Sequence, residues 1–412
     1  MVAPFLPDDE KLAAIREALP ALGAGIYLNT GSVGPLPAET AAAMAEQVEY
    51  ELRIGRGHPA DFDRFLERLD EARGAVAAVV GGEVAEIAIL HATGEAMNAA
   101  LWGLGIGPGD RIVTTQAEHP AGLGPAHLVA ERFGAELVIA DVGHGGDDRR
   151  TLDAFEAAIG DRARVVAFSH VLWTTGARLP VREISALARD RGARVVVDGA
   201  QAVGAMPVTV PDLGADFYAI PAQKWLLGPE GIGALWVNPA VLEEARPSMG
   251  SWFSFERVSA AEAVPRSTAR RFDAAGFYRP AVTGFARSCG WLSMYIGLPW
   301  LHARGLGQAR LAAERLAAIE GVEVLTPLEQ MATLVTFRIR GWTPDDALRE
   351  LGSRMFVIAR TIPDLAALRI SVGFFTTTEE IERVAAVVEL LAAHTPETLP
   401  PRPTLTILGQ AT

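Results

Sequence analysis

The chain has 412 residues, half of them hydrophobic, with 37 Lys plus Arg against 50 Asp plus Glu and a formal net charge of -13. That length allows two domains with substantial cores, and the acidic balance argues against nucleic acid and against an anionic membrane surface. Cys289 is the only cysteine, which leaves no intrachain disulfide and no cysteine-rich metal site, so no metal is expected.

No stretch reaches ~18 apolar residues without a break, so no transmembrane helix is expected. Asp8, Asp9 and Glu10 come early and no apolar signal core accompanies them. The reading is a cytoplasmic soluble enzyme. In chain order, DDEKLAAIREAL over 8–19 reads as a short amphipathic helix. The turn-rich YLNTGSVGPLP (Tyr27–Pro37) introduces a helix over 38–54, and a further helix covers 61–80. Strand-like runs then follow at 87–90, 111–114, 136–140, 164–168, 194–197, 217–220 and 232–237. Helical stretches at 94–104, 120–133, 151–159 and 181–191 lie between several of them. Short apolar strands alternating with helices predict an α/β domain with a mainly parallel sheet covered on both faces. Ligands of such sheets sit at the carboxyl ends of the strands.

From about 245 to 282 the pattern breaks into loops with scattered aromatics and arginines, expected near the site and a subunit interface. A long helix is predicted from about 283 into the low 300s. The remainder reads as helix 308–319, strands 322–325 and 332–339, helix 344–352, strands 355–360 and 367–372, and helix 378–393. That is a compact α+β unit. Pro396, Pro400, Pro401 and Pro403 mark an extended tail. The expected organisation is an N-terminal arm (1–24), a large domain (25–282), a small C-terminal domain (283–395) and the tail (396–412).

The densest chemistry lies in RVVVDGAQAVGAMPVTVPDLGADFYAIPAQK, residues 194–224. A valine run ends in Asp198, and a second apolar run, Phe217 to Ile220, ends near Lys224. Taken singly, the acid also suits a cap or turn and the lysine a solvated strand end. Together they suit a cofactor with a basic ring nitrogen and an aldehyde, pyridoxal phosphate (PLP). The carboxylate keeps the ring nitrogen protonated, and the lysine holds the aldehyde as a Schiff base.

With these residues and the closing stretch LRISVGFFTTTEEIER (368–383), the chain resembles the class V aminotransferase family of fold-type I PLP enzymes, in its cysteine desulfurase-like and isopenicillin N epimerase-like branch. The resemblance spans roughly 25–395 and is strongest over 164–237. It implies that Lys224 is the Schiff-base lysine and Asp198 the pyridinium partner. Gln201 would bond the phenolic oxygen, and His119, in QAEHPAG, would stack on the ring. Thr93, Gly94 and Glu95 open a helix after a strand, where backbone N–H groups and the helix dipole favour phosphate. Gln223 stands where relatives often carry a phosphate-binding histidine. His170 falls where desulfurases have an asparagine close to the cofactor oxygen or substrate, and Trp173 lines the same strand end. Arg369 matches the arginine that clamps the substrate carboxylate, and Asn29 and Ser32 lie in the loop that borders substrate.

Two departures stand out. The region VIARTIPDLAALR lacks the nucleophilic cysteine of desulfurases, and Cys289 lies on a predicted helix. In FDAAGFYRP, Gly276 is kept, but Phe277 or Tyr278 replaces a threonine that in relatives reaches the neighbouring subunit's phosphate. That contact is therefore either lost or made by Tyr278 or Arg279. The expected activity is an aminotransferase working on an α-amino acid and a 2-oxo acid. The alternative is a PLP-dependent lyase or epimerase on an amino acid derivative, including carbon–sulfur or selenocysteine cleavage without a persulfide. A homodimer with shared sites is implied. Trp173, Trp252, Phe253, Phe255, Phe277 and Tyr278 would form either an apolar substrate pocket or packing.

Overall fold

In the computed structural model, which describes residues 6–402, the apolar runs of the first half of the chain assemble into one seven-stranded sheet. The chain enters through α1 (Asp8–Glu17), β1 (Ile26–Tyr27), α2 (Ala38–Ile54) and α3 (Pro59–Val80). It then alternates through β2 (Ile87–Leu90), α4 (Thr93–Gly103), β3 (Arg111–Thr115), α5 (Pro120–Phe133), β4 (Glu136–Ala140), α6 (Asp148–Ala158), β5 (Ala163–Ser169), α7 (Val181–Asp190), β6 (Arg194–Asp198), β7 (Phe217–Pro221) and β8 (Gly233–Val237). The strand order is β2-β8-β7-β6-β5-β3-β4. Every pair from β7 to β4 is parallel, and β8 runs antiparallel to both of its neighbours.

The central strands carry no polar face because both of their faces are covered. Val195 and Val197 of β6 pack into one hydrophobic cluster, with Val166 and Phe168 of β5; Val196 packs into the other, with Val165 and Ala167. Alternate side chains of a strand point to opposite faces, so a two-sided core demands continuous valine. Among the described residues, no helix is long and apolar enough to cross a membrane.

The stretch expected to be loops contains a small antiparallel ribbon, β9 (Phe255–Val258) with β10 (Ala263–Pro265). Asp273 anchors its return, since its carboxylate accepts from the Ile89 amide at 2.8 Å and pairs with Arg73. Beyond it, the helical prediction is corrected. A helix α8 (Arg279–Gly290) passes into a π-helical turn (Trp291–Ile296) and stops at Gly297, whose φ is +89°. A single helix α9 (Leu298–Ala317) then runs through what was read as two segments. The break falls at Gly297-Leu298-Pro299, where glycine takes the left-handed turn and proline suits a helix start. Gly305 and Gly307 are tolerated inside α9.

The small domain pairs β11 (Val322–Val324), β12 (Leu334–Ile339), β15 (Ala367–Ser371) and β14 (Arg360–Ile362) in an antiparallel sheet of order β11-β12-β15-β14. It is covered by α9, α10 (Pro344–Met355) and α11 (Thr378–Ala392). The single strand expected over 355–360 is split. Phe356 caps α10 in the left-handed region (φ 54°), β13 (Val357–Ile358) pairs with β1, and only then does β14 begin. Ile26 and Leu28 accordingly pack in the hydrophobic cluster around this antiparallel sheet, although the expected large domain starts at residue 25. The tail packs onto α10 through Arg354 to the Pro400 carbonyl (2.7 Å) and Arg402 to Glu350 (2.9 Å). Residues 403–412 of the expected tail lie outside the described residues.

Candidate active site

The parallel strands end along one edge of the sheet, and the ends of β5 and β6 are in register, Ser169 opposite Asp198. Asp198 is buried and accepts from the Ala200 amide at 2.9 Å. Lys224 stands just beyond β7, on a turn closed by the Leu227 amide to its own carbonyl (3.0 Å) and by Gly228 to Ala222 (2.8 Å). Leu227 holds a left-handed conformation there (φ 53°). The N-terminal loop locks this turn from outside. The Gly34 amide donates to the Gln223 carbonyl at 2.7 Å, and a Cβ on Gly34 would lie 2.4 Å from the Lys224 carbonyl oxygen.

These elements enclose a cavity of about 280 Å³. Lys224, Asp198, Gln201, Gln223, His119 and Trp173 line it from the large domain, and Thr93 and Gly94 at the start of α4. Ser32 enters from the N-terminal loop, and Arg360 and Arg369 from the small domain. The small domain grips the Trp173 segment directly. Thr336 and Thr326 donate to the carbonyls of Thr174 and Thr175, both at 2.6 Å.

Burial sets the charges. It pushes the Lys224 amine down to about 8; Asp198 works against that push, and Arg369 and Arg360 add to it. Burial raises Asp198, with Lys224 and the Ala200 amide opposing. His119 caps α5, and its Nδ1 accepts from the Ala121 amide at 3.1 Å, so the neutral ring carries its proton on Nε2. Burial first, then Lys224 and the two arginines, bring it down to about 4. It is therefore uncharged at neutral pH, edge-on to Trp173 at 5.2 Å.

Arg369 is fully buried; Nη1 donates to the Trp173 carbonyl at 2.6 Å. Arg360 is its register partner across β14–β15, and the two converge on the Ser32 hydroxyl at 3.5 and 3.3 Å. Neither guanidinium has a carboxylate partner among the described residues. Burial, with Arg360 adding to it, brings Arg369 down to about 9. A cavity with two arginines, a lysine and one carboxylate is built for anions.

Its unspent groups fit PLP. The first turn of α4 has no side-chain cap, so the amides of Thr93 and Gly94 are open to phosphate. Gln223 lines the same cavity, where its side-chain NH2 can donate to a phosphate oxygen. Gln201 donates through Nε2 to the Gly31 carbonyl (2.8 Å) and accepts from Trp225 Nε1 (2.9 Å), which fixes its amide and leaves one N–H over.

Other expected residues lie elsewhere. His170 does not line the cavity. It is buried with Nδ1 2.7 Å from the Tyr218 hydroxyl, because strand alternation sends it away from the face that Asp198 serves. The Glu95 carboxylate turns back to the His91 amide at 2.6 Å. Asn29 holds Ser32 through a 2.8 Å bond and does not itself line the cavity. Gly276 and Tyr278 lie outside it, and Tyr278 is 62% exposed. Arg279 is committed to the buried Asp61, and Phe277 packs on Phe65, Phe253 and His91. Of the aromatic set only Trp173 reaches the cavity. Sequence reasoning missed Arg360, since nothing local marks it; the hairpin that sets it opposite Arg369 is the signal.

The family model for aminotransferase class-V matches residues 26–384. A probable cysteine desulfurase of Methanothermobacter thermautotrophicus is 29% identical over 92% of this chain and 97% of its own length. Isopenicillin N epimerase of Streptomyces clavuligerus is 31% identical over 90% of this chain and 95% of its own. A solved variant of C-DES with glycine covalently linked to its PLP cofactor superposes with a TM-score of 0.85 at 25% identity, over 93% of this chain and 99% of that one. The complex of this cystine C–S lyase with its product cysteine persulfide gives 0.84 at 26% identity, over 90% and 99%.

Proposed function

The chain belongs to the aminotransferase class-V family and its cofactor is pyridoxal phosphate, and on that premise we propose that it is a lyase, removing the α-proton of an amino acid and expelling a substituent from the β-carbon. No persulfide forms on a cysteine of its own. The observation that carries the lyase is the likeness to a cystine C–S lyase over 90% of this chain, and the sulfur inventory of the site carries the exclusion of a persulfide. The only cysteine, Cys289, is buried in α8 with its thiol pushed far up by burial, and no cysteine lines the cavity.

When bound, PLP supplies an electron sink for the charge left at the α-carbon. Lys224, brought down to about 8, has a free amine at neutral pH often enough to hold the aldehyde and to take the α-proton. Asp198 would face the ring nitrogen with a buried carboxyl, the amides of Thr93 and Gly94 would hold the phosphate, and His119 would cover the ring face as a neutral imidazole. Arg369, with Arg360 beside it, takes the substrate carboxylate and fixes the substrate's orientation.

Epimerisation would need a second base over the cavity. His170, a buried imidazole at the end of β5, lies away from the lining. Aminotransfer is the second reading, favoured by the family description and by a lysine poised to return the proton. A second copy of the chain belongs to the proposal, because Met249, Trp252 and Tyr278 expose apolar surface at 60%, 61% and 62% on or beside the 249–278 segment. The test is to mix yellow holoprotein with a panel of amino acids and no keto acid. Ammonia and a keto acid released over many turnovers, with the visible band retained, support the lyase. Loss of the band with one equivalent of keto acid supports aminotransfer and sinks the lyase.

A further inference from the structure

One buried acid has no part in the chemistry above. Glu118 immediately precedes His119 and is 6% exposed. Oε1 accepts from the Thr115 hydroxyl at 2.6 Å, at the end of β3, and Oε2 is bonded to the Ser169 hydroxyl at the end of β5. Ser169 is the register partner of Asp198. The Glu118 carboxyl therefore ties two strand ends together, next to the carboxylate that faces the ring nitrogen and behind the histidine that covers the ring.

We propose that Glu118 is a positioning residue for the cofactor ring, a buried acid that fixes the backbone carrying His119 and leaves Asp198 as the first of the pair to ionise. The inference rests on the PLP reading of the cavity. Two neighbouring buried carboxyl groups do not both ionise readily, and the one with a cation keeps the charge. Asp198 has Lys224 and, with cofactor bound, the ring nitrogen; Glu118 has two hydroxyls and, among the described residues, no cation. Both hydroxyls donate to the carboxyl: Thr115 to Oε1, its own oxygen accepting from the Ala117 amide at 3.2 Å, and Ser169 to Oε2. Burial pushes Glu118 up to about 7; the Ser169 and Thr115 bonds oppose, and Asp198 adds to the push. The ionisable groups around it are Asp198 on β6, His119 on its own loop and, beyond Asp198, Lys224.

The test is a pH titration of the visible band of the holoprotein, with the melting curve and cofactor retention on dialysis as companions. In the native protein, an ionised Glu118 above pH 7 favours protonation around the ring. Glu118→Gln keeps both contacts and removes that charge, so it should retain PLP and shift the midpoint down by roughly one pH unit. Ser169→Ala removes a bond that favours the ionised form and should shift it the same way by less. Glu118→Ala, with neither contact, should lose cofactor on dialysis while Glu118→Gln keeps it. Titrations of E118Q and S169A that superimpose on the native curve would overturn the proposal, and S169A decides alone if E118Q does not fold. Native protein that takes up no PLP would overturn the cofactor reading itself, and this inference with it.

Discussion

Replacing Arg369 by Met separates what the residue does for substrate from what it does for the fold. Arg369 is fully buried, faces Arg360 across a strand pair, and has no carboxylate partner among the described residues. A buried guanidinium without an anion opposes folding, so removing it relieves one strain and creates another. The Trp173 carbonyl loses its 2.6 Å donor, at a cost of about 1–3 kcal/mol. The two effects oppose each other, and the melting temperature of the apoprotein should move little. Substrate loses two charge-assisted hydrogen bonds, worth roughly 3–6 kcal/mol together. At about 1.4 kcal/mol per decade, kcat/KM falls about a hundredfold to ten-thousandfold. The assay is rapid mixing of holoprotein with amino acid, reading the visible band, beside a thermal melt. Arg360→Met should show the same pattern at roughly a tenth of the effect. An unchanged kcat/KM together with a large drop in melting temperature would refute the reasoning and make Arg369 an ordinary core arginine.

Lys224 must be unprotonated to capture the aldehyde. With its pKa held down to about 8, yellow-band formation by the apoprotein should rise tenfold per pH unit up to about pH 8 and then level off. Continued rise between pH 8.5 and 10 would show an ordinary lysine. Between about 8 and 10.5 the unfolded chain binds a proton that the folded one does not, so this residue makes apoprotein stability rise with pH in that window. Gly34→Ala would place a Cβ 2.4 Å from the Lys224 carbonyl and the Leu227 side chain. It should cost about 1–3 kcal/mol by denaturant melt and slow PLP uptake, and unchanged uptake would free the lysine turn from its dependence on that loop. Cys289 is buried, so native protein should resist thiol alkylation, and Cys289→Ala should keep full activity with at most about 1–2 kcal/mol of stability lost; inactivation by alkylation of folded protein would restore a sulfur-carrier role.

The α/β alternation and the carboxyl-end acid were legible in the chain because two-sided burial forces continuous valine runs, and a run that ends in Asp198 marks a strand end wherever the strand lies. Lys224 stood out through its local surroundings, while His119 and Arg369 were picked out by the family resemblance; all three line the cavity. Other features depended on contacts that no local pattern encodes. A one-residue step past Ser169 turned His170 toward Tyr218, since successive strand side chains alternate faces. A hairpin set Arg360 against Arg369, and a two-residue strand drew the N-terminus into the small domain to pair with Val357 and Ile358. The joining of two predicted segments into α9 depended on Gly297 taking the break that periodicity placed elsewhere. Sequence determines which segments must be buried and what their ends can do, because burial and turn chemistry are local. Which ends meet, and which side of each strand faces the cavity, is decided by long-range pairing and register, and so the second arginine and the Glu118 brace appear only in the folded chain.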